Sequence, residues 1–446
     1  MKGPVPVSGT PRGTDAPRDS GAPFDWDAPP AAPDPGARQR PAPDLPWAQA
    51  RRTARRSGGH PLPTLDLDLC DALGHALAQP LVARTDLPPF DTSAMDGWAV
   101  AGPGPWRLHG RLLAGQSPTG PLADGTAVRI ATGAQLPPGA TAVLRREHGA
   151  VERREDGEGG ALLHDRAPHP AAPGRDVRPR GQECRHGEPL LPAGTSVTPS
   201  VLGLAAATGY DRLTVHRRPT VELLLLGDEL LEAGPPRDGL VRDALGPLLL
   251  PWLDACGARV IGRRMVKDDL GLLRDALRHS PADVVVTTGG TAAGPVDFLH
   301  QALTEVGARL LVDSVAVRPG HPMLLAELEL EPAPAPGTPA RRVVGLPGNP
   351  LAAVAGAATL AVPLLRALGG HADGSPRRVP TAAELPGHPR DTRLLPVRLT
   401  EQGAHPLAFD GPAMLRGLAL ADALAVVPPG GLPAAVPVEL LAVPGR

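Results

Sequence analysis

Apolar and polar positions follow several different rhythms along this chain. Residues 1–46 have little periodic apolar content and many prolines. A segment of that kind cannot bury enough surface to offset the entropy of ordering it, so a disordered extension is predicted. Leu65 to Ala78 (LDLDLCDALGHALA) reads as apolar positions at helical spacing, with Thr64 or Asp66 placed as a cap. Residues 86–184 are short β-like runs (GWAVAG, WRLHGRLLAG, TAVRIATGA, TAVLRREH) broken by Gly and Pro. They predict a small β module, with a polar loop at 152–172. SVLGLAAATGY then predicts a helix that returns the chain to the first helical region. Residues 47–85 and 185–216 are thus expected to form a helical linker domain around the β module.

From Pro219 the rhythm changes. TVELLLLG, RVIGRRMV, ADVVVTTGG, RLLVDSVAV and RRVVGLPG read as apolar strands, and helical stretches alternate with them. In RDALGPLLLPWLDACGA, Pro247 and Pro251 strain the helix or push its start later. Strands apolar on both faces, alternating with helices, predict an α/β domain over 217–371 with a doubly wound parallel sheet. Its longest apolar run, Leu351 to Leu365, is short for a membrane span and reads as a buried helix. A Pro-rich patch (EPAPAPGTPA) interrupts the rhythm as an exposed loop. Residues 372–446 return to short strands and predict a C-terminal β module. The expected architecture is α/β and multidomain: a central parallel-sheet domain, small β modules and a helical linker.

Composition narrows the function classes. The formal net charge of -2 carries no global signature of a nucleic-acid binder. Cys70, Cys184 and Cys256 lie far apart without a CxxC, against a disulfide framework or zinc site and in keeping with a reducing cytoplasm. No apolar run marks a signal peptide near the N-terminus, and no membrane partner is expected. Arg has almost replaced Lys, and Asn349 is the single Asn. A rare residue type at a plausible site therefore carries extra information.

Ligands of open α/β sheets bind beyond the carboxyl ends of the strands. Four loops fall there: Gly227-Asp228-Glu229, Asp268-Asp269, Thr287-Thr288-Gly289-Gly290 with Asp297 opening the next helix, and Pro347-Gly348-Asn349-Pro350. A Gly-rich turn offers backbone N–H groups to phosphate. Carboxylates on neighbouring loops suit a hard divalent cation such as Mg²⁺. Each piece also has a local explanation. The glycines make a tight turn, Asp268, Asp269 and Asp297 serve as caps or first-turn acids, and Asn349 caps a helix with Pro350 at its first position. Only the convergence of all four loops favours a site.

PPFDTSAMDGWAV (88–100), RIATGA with PPGATAVL, RPRGQE (178–183), LLGDEL, TTGG with Asp297, RPGHP (318–322) and GLPGNP (345–350) stand in order along the chain. In that order and spacing the chain resembles the molybdopterin molybdenumtransferases, the MoeA family, which includes the C-terminal half of gephyrin. The resemblance covers about residues 47–446. It implies a homodimer that takes molybdopterin-adenylate and molybdate as substrates, releases AMP with Mg²⁺, and makes molybdenum cofactor. It further implies a cleft between the α/β domain of one subunit and the β module of the other. Asp96 and Thr132 would come from the partner, and Asp96 is the first choice for an essential carboxylate. Glu229, Asp269 and Asp297 would be catalytic acids handling metal or molybdate. Thr288, Gly289 and Gly290 would take the terminal phosphate. Glu183, Arg318, Pro347, Gly348, Asn349 and Pro350 would complete substrate binding.

The chain also departs from the family pattern. Arg318 and His321 stand at usual Lys positions, and Ser314 at a further upstream one. Leu245 replaces an Asn, Ala292 a Ser, Pro295 an acid, and Leu351-Ala352 a Val-Ser. An active, divergent insertion enzyme is the leading expectation. A non-catalytic paralogue that binds or carries pterin is the alternative, and an adenylyltransferase fits poorly because the β modules would have no role.

Overall fold

A computed structural model of the chain describes residues 44–153, 160–170, 172–291, 298–329 and 340–444. At its centre is a six-stranded sheet. Its strands are β1 (Thr220–Leu226), β2 (Arg259–Val266), β3 (Val284–Thr288), β4 (Arg309–Asp313), β5 (Leu324–Leu328) and β6 (Arg341–Leu346). They lie in the order β2-β1-β3-β6-β5-β4. The first four in that order are parallel, while β5 pairs antiparallel with both β6 and the edge strand β4. The run RLLVDSVAV is therefore not one strand. Ser314 turns it with a φ of 98°, and Val315–Arg318 joins a different sheet, the C-terminal one.

Helices cover both faces: α1 (Leu245–Ala255), α2 (Leu270–His279), α3 (Leu299–Glu305), and α4 (Pro350–Gly356), which a π-helical turn continues into α5 (Val362–Leu368). One face buries Leu223, Leu225, Val286 and Val344 against Leu249, Leu253, Leu360 and Leu364. The other buries Leu224 and Val285 against Leu273, Leu277 and Leu303. The helix Trp47–Ser57 packs into the first core through Trp47, Ala50 and Ala54, and the Trp47 indole N–H donates to Thr359 Oγ1 at 3.1 Å. Pro350–Leu368 is long and apolar enough to cross a membrane by length and composition, but 83% of its most apolar window is buried inside the protein.

The expected helix over Leu65–Ala78 is instead a strand, Thr64–Asp68, a short 3₁₀ turn, and a strand, Ala76–Leu77. Both strands pair with Arg212–His216. The Leu-Asp-Leu-Asp-Leu stretch alternates with period two, which is the strand period, and the short window hid it. The helix in SVLGLAAATGY forms as Pro199–Ala207, capped by the Thr198 hydroxyl. The β module is a six-stranded sheet that includes Gly97–Val100, Trp106–Leu112, Thr126–Ile130 and Ala142–Arg145. The C-terminal sheet has seven strands and takes in Leu45–Pro46.

Candidate active site

Register brings the four loops together. Leu226 pairs with Val266, Leu225 with Thr288, and Thr288 with Leu346, so β1, β2, β3 and β6 end at one edge. Beyond that edge lies a cavity of about 650 Å³.

At the first loop, Gly227 adopts a φ of 141°, and a Cβ there would run into the Glu229 carboxylate. Glycine thus lets Glu229 fold back across the loop, where it lines the cavity. At the second loop the two acids divide their work. Asp269 caps α2, its Oδ1 accepting the Leu272 N–H at 2.7 Å. Asp268 lines the cavity, and its Oδ2 accepts the Asp228 N–H at 3.4 Å.

At the third loop Thr288, Gly289, Gly290 and Thr291 line the cavity. Gly289 and Gly290 have φ of 86° and 67°, and a Cβ on either would approach Leu226 atoms to 3.1 Å. Both conformation and close approach therefore demand glycine. Asp297, with Ala292 and Pro295, lies outside the described residues.

The fourth loop presents Pro347, Gly348, Asn349 and Pro350 to the cavity. Asn349 occupies the N-cap position of α4, but its side chain makes no capping hydrogen bond. The helix is sealed from elsewhere: the Leu351 and Ala352 N–H groups donate to the Pro412 carbonyl at 2.9 and 3.3 Å. Pro412 belongs to the C-terminal module, whose Ala413 also lines the cavity. The Asn349 amide is left at the cavity wall without a capping role.

One acid was missed from sequence. Asp243, 4% exposed, lines the cavity. Its Oδ1 accepts the Leu245 and Gly246 N–H groups, both at 2.9 Å. Its Oδ2 is buried without a hydrogen bond, 3.7 Å from the Arg263 guanidinium. Along the chain Asp243 looks like any acid before a helix, and only tertiary placement distinguishes it. Glu229, Asp243 and Asp268 face one lining cation, Arg242. These oxygen donors, one of them orphaned, fit a hard cation that binds together with phosphate. Among the described residues no three acids converge as a ready-made ligand set.

The other expected residues lie apart from this cavity. Arg318 Nε donates to Asp391 of the C-terminal module at 2.8 Å, although Pro322 of the same segment lines the cavity. Glu183 is exposed, its N–H donating to the Leu87 carbonyl at 2.9 Å. Asp96 lines a separate cleft of about 380 Å³ in the β module. Its Oδ1 accepts both the N–H and the hydroxyl of Thr132, at 2.7 and 2.9 Å. Those two bonds, helped by Arg146 and Arg129, hold its pKa below the usual carboxylate range. Asp96 is thus a fixed anion and acceptor near neutral pH.

Comparison with known proteins shows the family. Residues 45–209 match the family profile of the MoeA N-terminal region (domain I and II), 222–367 the profile "Probable molybdopterin binding domain", and 378–436 the MoeA C-terminal region (domain IV). The chain is similar to a molybdopterin molybdenumtransferase of Nostoc sp., 32% identical over 69% of this chain and 70% of that one. A Staphylococcus aureus protein of the same name is 29% identical over 66% and 69%. The crystal structure of a molybdopterin biosynthesis MoeA protein from Pyrococcus horikoshii superposes with a TM-score of 0.66 at 26% identity, covering 90% of this chain and all of that one. With three family profiles matched in order between residues 45 and 436, and a relative 32% identical over 69% of its length, the chain belongs to the molybdopterin molybdenumtransferase family.

Proposed function

We propose that this chain inserts molybdate into molybdopterin-adenylate and releases AMP, as a homodimer in the cytoplasm. Membership of the family gives the coarser part, a transferase role in molybdenum cofactor biosynthesis. The observation that carries the finer reading is the single cavity onto which Glu229, Asp243, Asp268, the two glycines and Asn349 all open.

The Thr288–Gly290 turn suits the terminal phosphate of the pterin, since two left-handed glycines without side chains line the cavity there, although the Gly289 N–H is itself taken by the Leu346 carbonyl. The free Asn349 amide offers both a donor and an acceptor to the same ligand. Glu229 and Asp268 would hold Mg²⁺ together with the bound phosphate, with Asp243 beside them and Asp269 and Asp297 as further acids of the same loops. Bound there, the cation would neutralise phosphate charge during loss of AMP. Arg318 and Glu183 would contribute to substrate binding from the rim.

Asp96, held by Thr132, stands in a cleft that shares no lining residue with the cavity. Acids outnumber cations around the cavity, and cations outnumber acids around the cleft. That complementarity supports a site shared between protomers, the cleft of one facing the cavity of its partner. There the ionised Asp96 would accept and orient a proton-bearing group rather than deliver a proton.

Purified protein given molybdopterin-adenylate, Mg²⁺ and molybdate is expected to release AMP and form active cofactor. Asp96→Ala is expected to fold normally and lose at least about a hundredfold in rate, the size of a missing positioned group. Tight pterin binding without AMP release would instead make the chain a carrier.

A further inference from the structure

The Asp96 cleft carries a cluster of charge to which the proposed reaction has assigned no ligand. Arg111, Arg129 and Arg146 line it together with Asp96. Arg111 and Arg129 are direct register partners on adjacent strands, Trp106–Leu112 and Thr126–Ile130. Like charges directly opposite one another destabilise a sheet. Arg146 enters from a third side, because its N–H donates to the Asp96 carbonyl at 3.0 Å. Elsewhere this chain ties arginines to acids, as in Arg145 with Asp176 and Arg217 with Asp283. Among the described residues these three guanidinium groups make no ion pair within 4 Å. Asp96 does not neutralise them: it is one charge against three, and Thr132 occupies its Oδ1.

Three guanidinium groups without an ion pair inside their own chain, gathered on one concavity, form a site for a counter-ion. We infer that Arg111, Arg129 and Arg146 bind a tetrahedral oxyanion beside Asp96. Guanidinium groups match such an ion through paired, charge-assisted N–H donors. Two ligands share this chemistry: free molybdate, and the phosphoryl group of a nucleotide. Which of them is the physiological ligand rests on the proposed insertion reaction, whereas the anion site stands on charge and geometry alone.

Equilibrium binding tests the inference without any pterin. The full-length protein is titrated calorimetrically with sodium molybdate, and separately with AMP. The buffer holds EDTA and contains no phosphate or sulfate. The native chain is expected to bind at least one of the two. Arg111→Gln and Arg146→Gln are each expected to weaken that binding about tenfold or more, the usual loss for a bond to a charged group. Arg398→Gln, an exposed change on the C-terminal module, is expected to leave it unchanged. Sensitivity of molybdate binding assigns the site to the metal oxyanion, and sensitivity of AMP binding assigns it to a phosphoryl group. No binding by the native chain, or binding indifferent to Arg111→Gln and Arg146→Gln, overturns the inference. Arginine-sensitive binding in a protein that releases no AMP would sink the insertion reading and leave the anion site standing.

Discussion

Asn349 and Asp269 both occupy N-cap positions, yet they do different work. Asp269 accepts the Leu272 N–H, while Asn349 caps nothing. Asp269→Ala is therefore expected to lower the unfolding free energy by about 1 kcal/mol, the usual cost of a lost cap. Asn349→Ala should leave the melting temperature unchanged and weaken substrate handling, which melting curves and AMP-release rates separate. His371 makes a different kind of point. It is 4% exposed, its Nδ1 lies 2.8 Å from Ser196 Oγ, and its Nε2 has no hydrogen bond. Burial, then Arg366, His75, Arg218 and His216, push its pKa from the ordinary 6.5 down to about 4. The unfolded chain then binds more protons than the folded one between these values. Stability from this residue is complete above pH 6.5 and is lost as pH falls from there towards 4, by at most about 3 kcal/mol. Denaturant midpoints measured across that window, compared with His371→Asn, check the slope.

Each loop's conformation follows from the strand before it and the helix after it. Apolar β1, β3 and β6 lie side by side, so their loops must emerge together. The glycine spacing in TTGG and the GDE turn were legible because positive φ and close approach exclude other residues there. The division between Asp268 and Asp269 was not legible, because adjacent acids before a helix look equivalent until the backbone chooses which one caps. The alternating Leu-Asp stretch shows the same limit: five residues satisfy a strand and a helix turn almost equally, and pairing with Arg212–His216 decided it. Likewise RLLVDSVAV reads as one strand until Ser314 turns it between two sheets.

Across the whole molecule, the acidic cavity and the basic cleft lie on different modules with disjoint linings. If they meet only between protomers, Asp96→Ala and Glu229→Ala fail in different halves of each composite site. Mixed and re-equilibrated, the two inactive proteins should recover about a quarter of native AMP release, since random pairing makes half the dimers mixed and restores one site of two in each. Absence of recovery, with mixed dimers confirmed by mass, would place the two halves in separate reactions.

The sequence alone determined the alternation of strands and helices, the glycines of the phosphate-type turn and the family. These are local: they depend on periodicity, backbone freedom and motif order. Tertiary structure decided which acids face the cavity, that Asn349 is spared by Pro412 from capping its own helix, and that three arginines gather beside Asp96. Those facts depend on which strands lie side by side and which loop of another module closes over them, and spacing along one chain does not encode that directly.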